Sequence, residues 1–191
     1  MSTSNSTSIT PPTEAPRSDS TSTTPPTEAP RSDSISITPP TEALRAIIET
    51  YGQGIREAAE RAPERIAVLN FPKALMEVVK VYEENHQEKI TKEYSAVLSK
   101  YPPTIFVFKR GRSTPLYAAS STPIHARSVV VVIPLVMIDD IVCRVRFSDR
   151  TTEISLQAGS VICIAAGAEA HLDALGSGGV VWVLFFLELN T

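Results

Sequence analysis

Large apolar residues are almost absent from the first forty positions, recur every three or four residues from Leu44 to Tyr101, and then alternate or run together in short blocks to the C-terminus. The middle third therefore predicts helices and the last third predicts strands. Leu44, Ile48, Tyr51, Ile55, Ala58 and Ala62 form one face of a first amphipathic helix, weakened by Gly52 and Gly54 and ended by Pro63. A second helix is predicted from Pro72 to about Lys100, with a stripe through Leu75, Val79, Tyr82, His86, Ile90, Tyr94, Val97 and Tyr101, and Pro102-Pro103 as its stop. His86 sits on that stripe among Glu83, Glu84, Asn85 and Gln87, so a half-exposed packing role is expected. The two stripes predict packing on a sheet, or on a second copy of the chain through the helices.

Strands are predicted at residues 104–109, 127–138, 141–147, 151–157, 160–165 and 179–189. Asp139-Asp140, Ser148-Asp149-Arg150, Gly159 and Gly176-Ser177-Gly178-Gly179 separate them as turns, with Asp139-Asp140 read as a tight hairpin reversal. No helical stretch intervenes, which implies antiparallel pairing. The expected fold is α+β: two helices followed by an antiparallel jelly-roll-like β barrel.

The polar N-terminus is a fourteen-residue repeat. Residues 7–20 and 21–34 share Thr-Pro-Pro-Thr-Glu-Ala-Pro-Arg-Ser-Asp-Ser, and a third copy starts at Ile35. With so little to bury, residues 1–40 are expected to stay disordered and to act as a flexible tail. Thr10, Thr24 and Thr38 each precede proline, so phosphate could add charge there. The third copy carries Leu44 where the others carry Pro16 and Pro30. That exchange lets Thr41 cap a helix beginning at Glu42. The domain is therefore drawn as residues 41–191, with 41–101 helical and 104–191 β-rich.

Charge and cysteine content narrow the partners. The 191 residues carry a net charge of −3, with no basic surplus for a phosphate backbone, which argues against nucleic acid. The basic turn Lys109-Arg110-Gly111-Arg112 reads as solvated surface. Cys143 and Cys163 lie in apolar strand patterns and are expected to be buried, reduced and inert. The longest apolar run, residues 129–138, is about half of what crosses a bilayer, so no membrane role is expected. The first residues have neither the basic region nor the apolar core of a secretory signal, which leaves cytoplasm or nucleus as the expected location.

One local order of residues points further. Gly159, a strand, Gly167, His171 and then residues 180–186 as an apolar strand are similar to the second half of the cupin double-stranded β-helix. The same order resembles the related Fe(II)- and 2-oxoglutarate-dependent oxygenases. The resemblance covers about sixty residues and implies that His171 stands where the distal metal-binding histidine belongs. His125 would be the partner from the first half and Asp173, in His171-Leu172-Asp173, a carboxylate. The chain departs from the family where it reads His125-Ala126-Arg127, with a cation in the carboxylate position. It departs again at Val180-Val181-Trp182, which offers no base to anchor 2-oxoglutarate. There is no phosphate-binding glycine loop, nucleophile elbow or paired-cysteine spacing. Two functions follow as expectations: a domain lacking a complete metal triad that binds a small molecule or protein, or an active Fe(II)/2-oxoglutarate enzyme using His125, His171 and an acidic residue.

Overall fold

The computed structural model describes residues 35–62, 66–98, 102–109, 120–124, 128–147, 150–165, 170–176 and 178–189. The repeats up to residue 34 lie outside this set. So does His125.

The centre of the fold is a sheet of seven strands. β1 (Ile35–Thr38), β9 (Val161–Ile164), β6 (Ser128–Ile138), β11 (Gly179–Leu189), β4 (Thr104–Lys109) and β2 (Ile66–Val68) lie in that order, and β3 (Ala96–Leu98) pairs with the far end of β11. A second sheet orders β5 (Ser120–Ile124), β10 (Ala170–Gly176), β7 (Ile141–Arg146) and β8 (Thr151–Ile154). Every pairing among the described residues is antiparallel. The chain alternates between the sheets in jelly-roll fashion, and the two sheets stand as separate layers with no closed barrel. β6 and β7 belong to different sheets, so Asp139-Asp140 is a corner between layers and not the expected hairpin. Asp139 takes φ 53° there, a conformation its short polar side chain tolerates.

The larger sheet is buried on both faces. Val129, Val131, Ile133, Val183 and Phe185 point to one side, where α1 (Glu42–Arg61) and α2 (Pro72–Tyr82) cover them. Val130, Val132, Val180, Trp182 and Leu184 point to the other side and meet the smaller sheet. This two-sided burial explains the unbroken apolar runs of β6 and β11. Pro134 interrupts β6, yet the register shifts between Val181 and Trp182 opposite it, so the missing N–H falls at a bulge. Beyond the bulge both Leu135 and Val136 face the helices.

Both helices form, with their buried faces turned from the predicted stripes: α1 buries Leu44, Ile47, Ile55 and Ala59 and α2 buries Ala74, Val78, Val81 and Tyr82, while Ile48, Tyr51, Leu75 and Val79 are partly buried. Thr41 accepts from the Leu44 amide at 3.3 Å and caps α1, and Leu44 is fully buried. The second helical stretch has a π-turn at Glu83–Gln87, continues as α3 (Glu88–Tyr94), and stops at Ser95 with φ 47°. It ends earlier than its apolar stripe predicts, because Val97, once past Ser95, serves in β3 at the edge of β11. Tyr82 stacks on Phe185 with ring centroids 4.2 Å apart, fixing this helix to the sheet. His86 is buried and not half-exposed, because the π-turn rotates it inward.

Ile35–Thr38, which the repeat pattern places in the tail, is an edge strand on β9. Pro40 is buried behind it, under Gly159. Gly159 has φ +81°, its amide donates to Pro134 O at 2.7 Å, and a Cβ there would come within 2.9 Å of Pro40 Cβ. Gly159 therefore joins the β6 bulge to the start of α1. Replacing it, as Gly159→Ala, forces a left-handed alanine into a filled space, and the expected loss is about 2 kcal/mol or more in urea unfolding. A loss under about 0.5 kcal/mol would show that this junction carries no packing.

Candidate functional site

The residues singled out for chemistry gather on the smaller sheet. β10 pairs with β5 on one side and β7 on the other, setting His171 opposite Pro123 and Arg146, and Asp173 opposite Ser121 and Arg144. His171 thus stands in a strand that the apolar pattern did not predict. Side chains alternate along each strand. Leu172, Cys143 and Val145 enter the core between the sheets. His171, Asp173, Arg144 and Arg146 consequently share the outward face.

On that face Arg146 Nε donates to Asp173 Oδ2 at 2.9 Å, and an Nη reaches Oδ1 at 3.5 Å. The Asp173 side chain is 10% exposed and the guanidinium covers it. Hydrogen bonding and charge from Asp173 hold Arg146 above its ordinary range. A buried carboxylate needs such a partner. Arg144 meets Glu153 of β8 at 3.3 Å, an exposed pair that contributes little. His171 and Asp173 are therefore brought to one face, with Asp173 engaged by a cation. Asp139 and Asp140 are not drawn into this face; they lie at the corner after β6. Among the described residues no group of three metal-ligating side chains forms.

The space between the sheets is filled by large apolar groups. Trp182, at the centre of β11, packs against Phe108 of β4 with centroids 4.9 Å apart, and both are buried. Leu172 and Val145 close over them from the smaller sheet. Trp182 Nε1 is buried without a hydrogen-bond partner. In the sequence Trp182 marked only the absence of a basic anchor; its size and central position in an apolar strand were the signal for a filled interior. The Arg146–Asp173 pair, twenty-seven residues apart in sequence, was signalled only by the alternation of Arg144 and Arg146. Elsewhere, a groove of about 290 Å³ runs between α1 and the β6 bulge, beside Gln53, Arg56 and Met137. Arg56 spans it, donating to Met137 O at 2.8 Å. No helix among the described residues is long and apolar enough to cross a membrane.

No protein-family model matches the chain, and no curated protein matches it. Solved structures do. A Pseudomonas putida prolyl-4-hydroxylase superposes with a TM-score of 0.54 at 14% identity, covering 83% of this chain and 94% of that one. A viral collagen prolyl hydroxylase from Paramecium bursaria Chlorella virus-1 gives 0.52 at 9% identity, over 83% and 90% of the two chains. The fold is the double-stranded β-helix of the 2-oxoglutarate/Fe(II) oxygenases. The non-heme alpha-ketoglutarate-dependent epimerase SnoN shares it, with a TM-score of 0.53 at 8% identity over 83% and 77%.

Within this double-stranded β-helix the described residues bring two of the three candidate ligands, His171 and Asp173, onto one face, and His125 lies outside them. A dicarboxylate needs a cation; Trp182 Nε1 is a neutral indole N–H, and the Arg150 guanidinium is stacked 5.4 Å from the ring centroid of Phe147, a residue of the same core. Asp173, one of the two carboxylates two residues from His171, is already ion-paired.

Both cysteines are buried and free, as expected. They lie on opposite sides of the larger sheet, which excludes a bridge. Burial pushes Cys143 and Cys163 each up to about 12. The unfolded thiols ionise near 9.0 while the folded ones stay neutral, so stability is intact below pH 9 and falls as pH rises above it. At the acid end, burial and then Lys89 lower His86 from 6.5, so stability falls as pH drops below that value. Unfolding scans should trace a plateau between these limits. Cys163→Ala should flatten the alkaline arm, and thiol reagents at about pH 8 should leave the folded chain unlabelled. Rapid labelling of either cysteine in the folded chain would contradict this burial.

Proposed function

We propose that this domain is a non-catalytic binding module built on the double-stranded β-helix. The observation that carries the reading is the filled interior: Trp182, Phe108 and Leu172 occupy the space between the sheets. A ligand or protein partner is then met on the outside. The outward face of the smaller sheet supports this role, since it presents His171, Arg144, Arg146 and Glu153 together on a rigid surface. Such a mixed-charge strand face suits a polar protein surface, which we take as the partner.

The fold neighbours favour a second reading, in which His125, His171 and Asp173 hold Fe(II) and the chain uses 2-oxoglutarate. That reading requires Asp173 to leave Arg146 and to compete for a metal beside a guanidinium. Metal analysis and Mn(II) titration, with and without 2-oxoglutarate, separate the two. The binding-module reading predicts no stoichiometric metal in the purified protein and no saturable uptake, with His171→Ala indistinguishable from the parent. About one metal per chain, lost in His171→Ala or Asp173→Ala, would establish the enzyme reading instead.

A further inference from the structure

The edge strand β1 is the third copy of a unit that the chain carries twice more. Residues 35–40 read Ile-Ser-Ile-Thr-Pro-Pro, residues 7–12 read Thr-Ser-Ile-Thr-Pro-Pro, and residues 21–26 read Thr-Ser-Thr-Thr-Pro-Pro. Of the four positions kept in all three, the fold holds Ser36, Thr38 and Pro40 in the third, while Pro39 is exposed. Ser36 lies opposite Cys163 in the register, and its hydroxyl approaches Tyr94 Oη at 3.4 Å. Thr38 lies opposite Val161 and closes the ladder. Pro40 is buried under Gly159. In the first copy the sole change across these six residues is Thr7 in place of Ile35. Ile37, which the second copy replaces with Thr23, is 49% exposed, so that change costs little burial.

We propose that the β9 edge is a docking site for the repeat unit itself, and that residues 7–12 of the same chain exchange with residues 35–40 in it. The helix cannot slip with the strand. α1 needs the amide of Leu44 for the Thr41 cap and the Leu44 side chain in the core, and the first two copies offer Pro16 and Pro30 there. Exchange is therefore confined to the strand half of the unit, and α1 always begins from the third copy, with residues 13–40 looped out. Longer loops add closure cost only slowly, so a same-chain copy outcompetes one from a second molecule in dilute solution. The slot then stays filled when one copy is withdrawn, for example by modification at Thr38 or capture of the third copy by another protein. The fourteen-residue tandem repeat would thereby serve as spare strands for an otherwise exposed sheet edge.

Disulfide trapping in the full-length chain tests this. Ser8 is the first-copy equivalent of Ser36; Cys163 is closed to bulk reagents but lies opposite this register position, so on prolonged copper oxidation Ser8→Cys should bridge to Cys163, and Ser36→Cys should do so in its own register. Ser18→Cys, outside the strand half, sets the collision background. Ile35→Thr makes the two hexapeptides identical, and it should raise the Ser8→Cys bridge about threefold or more, because part of an isoleucine's burial no longer favours the third copy. The bridged species should run as a monomer on a non-reducing gel, and mass spectrometry should find the peptide bearing the Ser8→Cys substitution disulfide-linked to the one containing Cys163. Ser8→Cys bridging no faster than Ser18→Cys in both backgrounds would overturn the proposal. Bridging found only in a dimer band would overturn the same-chain form, and failure of Ser36→Cys to bridge would remove the register on which the proposal stands.

Discussion

The structure depends on one constraint: a seven-stranded sheet that must be covered on both faces. Strands β6 and β11 have apolar side chains in both directions, so neither face can meet water. The helices solve one side and the smaller sheet solves the other. Tyr82 on Phe185 ties the first junction, and Trp182 on Phe108 fills the second. The edge then needs its own device, which is the short strand β1 placed by Pro40, Gly159 and the Thr41 cap.

The same constraint shapes the functional reading. A sheet that presents Trp182 and Leu184 to its partner layer has committed that layer to packing. Polar residues on β7 and β10 are consequently directed outward, where Arg146 and Asp173 neutralise one another. The fold is shared with prolyl hydroxylases and an alpha-ketoglutarate-dependent epimerase, yet chemistry lives in the site and not in the fold. Here the middle of the described inter-sheet space holds Trp182, Phe108 and Leu172, and Asp173 is ion-paired with Arg146.

Much of the architecture was legible from the sequence because burial writes itself into periodicity. The helix stripe from Leu44 and the block of β6 left little choice of element. The corner at Asp139-Asp140 was misread because a two-residue reversal looks alike whether the strands pair or pass into different sheets. The strand holding His171 was missed since Ala170–Gly176 is bounded by glycine and has little apolar alternation; its position comes from pairing on both sides. β1 was hidden by composition. A Ser/Thr/Pro unit is disordered by itself, and only the neighbouring edge of β9 makes four of its residues a strand. The Arg146–Asp173 pair was invisible because only the register of β7 and β10 brings it together.

The central claim is that the space between the two sheets is occupied by side chains, with the indole of Trp182 in the middle. Trp182 is the single tryptophan of the chain, so its fluorescence reports that space alone. Iodide quenching of the native protein, followed with added Mn(II) and 2-oxoglutarate, is the most direct measurement. The account predicts a blue-shifted emission shielded from iodide, unchanged by either addition, and red-shifted only on unfolding. A native emission quenched by iodide as freely as that of the unfolded chain, or one that responds saturably to 2-oxoglutarate, would contradict it.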